Sequence, residues 1–240
     1  MGDSLFISDL HLAPAEPGAV QAFHRFLQGP ARSAQALYIL GDLFEYWAGD
    51  DDLAEPFNAE ICAALSALAR AGVKVHFMRG NRDFLAGPGF AQAAGLCLID
   101  EPYVISLGGE PVLLMHGDAL CTDDLAYQAF RAQVRDPLWQ SQFLAQPLAA
   151  RKKLIAALRE RSETEKQGKA MSIMDVNAAA VVEAMRAQGV RKLIHGHTHR
   201  PAHHTLTLDG QDAERWVLSD WCKTPAFLRA SRTGFSVEHP

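Results

Sequence analysis

Short, almost continuously apolar runs alternate along the chain with longer stretches in which apolar residues return every three or four positions. Residues 4–8, 36–40 and 74–78 are of the first kind, the pattern of strands buried on both faces. Residues 20–27 and 61–70 are of the second kind and predict helices, the later one closing at Gly72, where a C-terminal glycine fits. Residues 103–107 and 111–115 flank Gly108-Gly109, a two-residue hairpin signal. A further strand is expected at 191–194. The tail over 204–237 divides into β-segments at Asp209-Gly210 and Thr233-Gly234. Strands alternating with helices predict a layered α/β fold. With no internal repeat or low-complexity linker, one domain over 1–240 is expected.

Residues 125–169 depart from this rhythm: they read as wholly helical, broken at Pro137 and Pro147. Nine basic and four acidic side chains give this stretch +5 in a chain of net −5. Such asymmetry points to a negatively charged partner. Its apolar positions (Tyr127, Phe130, Leu138, Trp139, Phe143, Leu144, Leu148, Leu154, Ile155 and Leu158) recur at helical spacing. Ordinary core packing explains such a stripe, and so does a greasy surface for a lipid-bearing ligand.

Composition narrows the function classes. At 48% hydrophobic residues the chain has ample core material, which excludes disorder. A net charge of −5 argues against a nucleic-acid partner. No apolar run approaches the ~18 residues of a membrane span, and no secretory signal opens the sequence. Four cysteines without regular spacing suit a reducing compartment.

Chemistry concentrates where predicted strands end. The first runs into Asp9-Leu10-His11, the second into Gly41-Asp42 with Glu45 a turn later, and the third into Gly80-Asn81-Arg82-Asp83. Later strands end in His116-Gly117-Asp118 and His195-Gly196-His197-Thr198-His199. Each alone has a plain structural explanation, Asp9 as a helix cap, Asp42 and Asn81 as turn residues, a histidine as a buried hydrogen-bonded group. Five at once do not, because carboxyl ends of strands line ligand crevices in α/β sheets. Carboxylate, amide and imidazole donors without thiolate suit Mn²⁺, Mg²⁺, Fe²⁺ or Zn²⁺. Seven donors exceed what one ion needs and fit two ions sharing a carboxylate, which would leave +2 for an anionic substrate.

These blocks, in this order, resemble the calcineurin-like metallophosphoesterases. The resemblance implies a two-sheet β-sandwich flanked by helices in four layers (αββα), with 125–169 as a helical lid. It implies that Asp9, His11, Asp42 and His199 hold one cation, and that Asp42 bridges to a second held by Asn81, His116 and His197. His195 falls outside the motif and is read as structural. Arg82 stands where the broad family has a general-acid histidine. A guanidinium cannot protonate a leaving group but can brace a phosphoryl oxygen, so cleavage of a P–O–P linkage is expected; the plainer alternative is that Arg82 pairs with Asp83.

Residues 41–52, 80–85, 115–131, 174–177 and 195–201 are similar to a bacterial branch of that family, the UDP-2,3-diacylglucosamine diphosphatases of lipid A synthesis. That resemblance implies two Mn²⁺ ions and attack of metal-activated hydroxide on the diphosphate, giving UMP and 2,3-diacylglucosamine 1-phosphate. It implies substrate contacts at Asn81, Arg82, Asp124, Ser162, Lys166, Lys169 and His197. A monomer is expected, held reversibly on the cytoplasmic side of the bacterial inner membrane with Arg151, Lys152 and Lys153 against anionic lipid. Two other readings stay open: a hydrolase of soluble nucleotides or dinucleoside polyphosphates, and a scaffold that has lost catalysis.

Overall fold

The computed structural model describes residues 2–167 and 175–240, with the side chains of 161–167 outside the description. The sequence-implied contacts at Ser162, Lys166 and Lys169 lie outside the described side chains. Strands β1 (Ser4–Ile7), β2 (Ala36–Leu40), β3 (Lys74–Met78) and β4 (Cys97–Ile99) run parallel, and β10 (Phe227–Ser231) and β11 (Gly234–Glu238) add antiparallel beside β1. The order is β11-β10-β1-β2-β3-β4. A second sheet has the order β5-β6-β7-β9-β8, built from β5 (Tyr103–Leu107), β6 (Glu110–Leu114), β7 (Lys192–His195), β8 (Ala202–Leu208) and β9 (Gln211–Val217). Gly108 and Gly109 form the β5–β6 turn with φ of 61° and 91°, the double positive φ of a type I′ hairpin.

Three apolar clusters define the layers. Phe6, Leu40 and Met78 of the first sheet meet Val112, Leu114 and Ile194 of the second. Leu5, Ile7, Leu37 and Ile39 point to the opposite face, against Phe23 and Phe26 of α1 (Pro17–Gln28) and Ile61 and Leu65 of α2 (Pro56–Arg70). Neighbouring residues of β1 and β2 therefore face different cores, which is why these strands read as unbroken apolar runs. On the far side, Leu113 and Leu193 pack on Val181 and Met185 of α7 (Ala178–Ala187). The layers are helix, sheet, sheet, helix, as expected. Two short elements carried no clear sequence signal, α3 (Pro88–Ala94) and β4, and α7 was not anticipated.

The stretch after β6 forms α4 (Leu125–Arg135), α5 (Pro137–Leu144) and α6 (Leu148–Gln167). Pro137 starts α5 at the first helical turn, with Asp136 capping it through the Trp139 N–H at 2.8 Å. Its basic residues differ in part from the expected charged cover. Arg151 is 1% exposed, donates to the carbonyls of Ala48 and Gln146 and pairs with Asp51, and Lys152 Nζ lies 2.7 Å from Asp52. A buried arginine cannot rest on a bilayer, so of the expected patch Arg151 is withdrawn into the fold, Lys152 is paired and Lys153 is exposed. These helices also expose much apolar surface. Of the eight large hydrophobic side chains exposed among the described residues, six (Leu125, Phe130, Leu138, Leu144, Leu154 and Leu158) lie here. Among the described residues, no helix is long and apolar enough to cross a membrane.

Candidate metal centre

Parallel strands of both sheets end at one place. The loop after β1 is tied to the loop after β2 by Asp9 N–H to the Gly41 carbonyl (3.1 Å) and by Leu10 and His11 N–H to the Asp42 carbonyl (2.8 and 3.0 Å). The Gly196 N–H donates to the His116 carbonyl at 2.8 Å, joining the loops after β7 and β6. Six non-glycine residues among those described have left-handed φ, and five of them are Asp9, His11, Asp42, His197 and His199. Each such residue costs on the order of 1–3 kcal/mol and persists where a site demands it. The sixth, Asp209, sits in the Asp209-Gly210 hairpin turn. Gly41, at φ 87°, must be glycine, because a Cβ there would lie 2.5 Å from Gly80 Cα and 2.6 Å from His116 Nδ1.

Two overlapping donor groups result, Asp9, His11 and His199, and Asp9, Asp42 and His116, each with its ligand atoms within 4.8 Å of one another. The Nε2 atoms of His11 and His199 face each other at 3.2 Å. Their Nδ1 atoms lie 3.0 Å from Glu45 Oε2 and 3.1 Å from Asp220 Oδ2, so each carboxylate stands outside its ring and favours the N–H on Nδ1, with Nε2 left facing inward to ligate once deprotonated. Asp9 Oδ1 is buried without a hydrogen-bond partner, with His199 Nε2 3.4 Å away. A divalent cation resolves both conflicts, and the hard and borderline donors fit one. Asp42 faces both halves: Oδ2 is 3.9 Å from His11 Nε2 and Oδ1 is 3.7 Å from His116 Nε2. His116 lies with Nδ1 2.8 Å from the Leu40 carbonyl and Nε2 2.9 Å from Asn81 Oδ1. The His197 ring stands edge-on to His116, with centroids 5.1 Å apart, and the backbone N–H of His197 donates to Asp9 Oδ2 at 2.8 Å. All seven expected donors are thus brought together.

Charges are balanced for cation uptake. Burial works to raise the Asp9 carboxyl, and the close approach and charge of His199, with the charges of His116 and His11, hold it well below the usual carboxylate range. Burial opposes protonation of His116, yet Asp42, Asp118, Asp9 and Glu101 push it up to about 9. His199 is likewise pushed up to about 9 against its burial by Asp220 and Asp9. His197 is lowered to about 4 by burial and the neighbouring His116. His195 is fully buried, contacts the Gly196 carbonyl through Nδ1 at 2.8 Å and is lowered to about 3, chiefly by burial.

Arg82 does not depend on Asp83. The Asp83 carboxylate accepts from the N–H groups of Gly80 (2.8 Å) and Leu43 (2.7 Å) and holds the loop behind Asp42. The Arg82 N–H donates to Asp42 Oδ1 at 2.8 Å, and its guanidinium Nη1 lies 3.7 Å from Glu45 Oε1. Arg159 of α6 reaches the same oxygen at 2.5 Å. Sequence reasoning passed over Glu45, Asp220 and Arg159 as site residues. Glu45, one helical turn past Asp42, was the one with a local signal. Asp124 caps α4 through the Tyr127 N–H at 3.1 Å. Arg131 and Arg135, counted in the sequence among cations free for a partner, are committed to buried carboxylates and backbone carbonyls.

The comparisons with known proteins agree with this geometry. The calcineurin-like phosphoesterase family model matches residues 4–201. A UDP-2,3-diacylglucosamine hydrolase of Aromatoleum aromaticum is 57% identical over 96% of this chain and 94% of its own. Proteins of that name from Cellvibrio japonicus and Escherichia fergusonii are each 52% identical, over 99% and 98% of this chain and 98% of their own. The chain belongs to the calcineurin-like phosphoesterase family and, within it, to the group of the UDP-2,3-diacylglucosamine hydrolases.

Proposed function

We propose that the chain hydrolyses the diphosphate of UDP-2,3-diacylglucosamine, adding water across the P–O–P bond to release UMP and 2,3-diacylglucosamine 1-phosphate. The carrying observation is that one helix, α6, joins two chemistries: it exposes Leu154 and Leu158 and sends Arg159 to Glu45 at the edge of the donor cluster. A diacylated sugar diphosphate needs an apolar surface beside an anion-binding edge. The chain acts as one domain with α4–α6 as its lid. Asp9, His11, Asp42 and His199 would hold one ion, and Asp42, Asn81, His116 and His197 a second, most suitably both Mn²⁺. Bound there, the cations would polarise the phosphoryl oxygens and bring the pKa of a water near neutrality.

The chain's own residues do the rest. Glu45 and Asp220, 3.0 and 3.1 Å from Nδ1 of His11 and His199, favour the N–H on that atom and so leave Nε2 of each ring to ligate. Arg82 and Arg159 stabilise charge developing on the diphosphate. The departing phosphate monoester has a second pKa of about 6, so a guanidinium serves where an alkoxide would require an acid. Asn81, Arg82, Asp124, Ser162, Lys166, Lys169 and His197 complete substrate binding, and the exposed leucines of the lid rest reversibly on the inner membrane's cytoplasmic face. The test compares turnover of the acylated UDP-sugar with its deacylated counterpart, with Mn²⁺ and after chelation. Preference for the acylated substrate, lost on chelation, is expected. Equal rates on both would remove the lipid, and full turnover after exhaustive chelation would remove the metals.

A further inference from the structure

One face of α4 carries Tyr127, Arg131 and Arg135 at i, i+4 and i+8, a single column along the helix. Between them the three reach the loops after β3, β4, β6 and β7. Arg135 Nη2 donates to the carbonyls of Gly80 (2.9 Å) and Arg79 (3.3 Å), the segment that leads into Asn81. Arg131 spans two carboxylates, Asp118 Oδ2 through Nε at 2.9 Å and Glu101 Oε2 through Nη2 at 2.8 Å. The other Glu101 oxygen accepts from the N–H groups of His116 (2.8 Å) and Gly117 (3.2 Å). The Tyr127 ring lies against His197 with centroids 5.8 Å apart, and its hydroxyl donates to Asp118 Oδ2 at 2.8 Å. Gln128, beside that column, donates to the carbonyls of Asp118 and Cys121 and seats the helix on the same loop.

We propose that α4 is a positioning clamp for one half of the metal centre: through Tyr127, Arg131 and Arg135 it sets Asn81, His116 and His197, the residues assigned above to the second cation. This rests on the two-ion reading of the site. The other half draws its support elsewhere. His11 is held by Glu45 after β2 and His199 by Asp220 before β10, and the Trp221 N–H donates to the Asp9 carbonyl at 3.1 Å. The two ions are therefore fixed by different parts of the molecule, the first by loops of the sandwich and the second by the first helix of the lid. Loosening α4 should cost the second ion and spare the first.

The test titrates metal-stripped full-length protein with Mn²⁺ and follows stoichiometry and affinity by calorimetry, with melting of the metal-free protein measured alongside. Wild type should bind two ions. Arg135→Met, whose 2.9 and 3.3 Å bonds go to backbone carbonyls, should weaken the second ion ten-fold or more, leave the first unchanged, and be rescued by Arg135→Lys, which keeps a donor. Arg131→Met should do the same without rescue being sought; because it strands two buried carboxylates, Arg135→Met carries the test if it fails to fold. Gln133→Ala, on the exposed side of α4, should keep both ions. Two ions bound as in wild type by Arg135→Met, or both ions weakened equally, overturns the clamp. One ion in the wild type overturns the two-ion reading and the clamp with it.

Discussion

Gly196→Ala isolates the steric demand of the centre, because it adds one methyl and no charge. A Cβ at this position would lie 2.2 Å from Ser8 Oγ, 2.3 Å from Asp9 Oδ2 and 2.7 Å from Ser8 Cβ. Those groups have nowhere to retreat: Ser8 and Asp9 are fully buried, and Asp9 Oδ2 is bonded to Ser8 Oγ at 2.6 Å and to His197 N at 2.8 Å. To reach even 3.0 Å the carboxylate must move by roughly 0.7 Å, which breaks one of these bonds and drags Oδ1 out of the donor cluster. Overpacking of this kind costs about 1–3 kcal/mol of stability, and a ligand misplaced by close to 1 Å costs ~10²-fold in turnover. The expected result is a folded protein whose affinity for Mn²⁺ and kcat/KM both fall by one to two orders of magnitude. The paired control is Gly18→Ala at the start of α1, where the same methyl meets nothing within 4 Å and helix propensity gains slightly. Calorimetric Mn²⁺ binding and steady-state rates of both variants decide the matter. Wild-type affinity and turnover in Gly196→Ala would show that Asp9 is not held where the centre requires it.

Three further outcomes follow from the same geometry. Chelation should lower the melting temperature, because the folded chain loses a ligand that the unfolded chain does not bind; restoring Mn²⁺ at ~100 times its Kd adds about 2.7 kcal/mol, or ~5–10 °C for a chain of this size, measurable by scanning fluorimetry. Mn²⁺ affinity should rise steeply from pH 7 to about 9 and level off above it, since metal-free His116 and His199, both pushed up to about 9, must lose their protons to ligate; an affinity flat across that range in titrations at several pH values contradicts the assignment. Leu138→Ser and Leu158→Ser, at side chains 67% and 43% exposed, should raise KM for the acylated substrate several-fold and leave the deacylated one unaffected, because their loss removes roughly 1 kcal/mol each of apolar contact with acyl chains.

Residues that act through local pattern were legible in the sequence, and residues that act through distant partners were not. β2 and β3 fall where the apolar runs place them, and the seven donors follow strands at the expected offsets. α3 has seven residues and β4 three, too short for periodicity to register. Charge counting misled for a physical reason. The +5 of residues 125–169 suggested cations awaiting a partner, whereas Arg131, Arg151 and Lys152 already face Asp118, Glu101, Asp51 and Asp52. A sum of formal charges carries no information on which acids lie opposite, and three of those four, Glu101, Asp51 and Asp52, precede the segment by 24 residues or more in sequence before folding beneath it. Glu101 and Asp220 were invisible for the same reason: each orients a histidine loop from a segment with no motif of its own.

The left-handed backbone at Asp9, His11, Asp42, His197 and His199 explains how the loops after β1, β2 and β7, from two sheets, aim inward at one point. A chain leaving a strand in extended conformation carries successive side chains to opposite faces and away from the strand end. A residue at positive φ turns the chain back over the strand end, and Asp9, His11, His197 and His199 all have it. That geometry is unfavourable for residues with a Cβ, and glycine would relieve it but supply no ligand. The chain therefore keeps strained donors and offsets the strain with bonds that converge on them: Asp83 on the Leu43 and Gly80 N–H groups, the Asp42 carbonyl on Leu10 and His11, Asp9 Oδ2 on His197. If strain is held for the sake of ion binding, replacing Asp42 by Gly should leave a protein that melts no lower when metal-free but gains little from Mn²⁺, separating the two roles in one melting experiment.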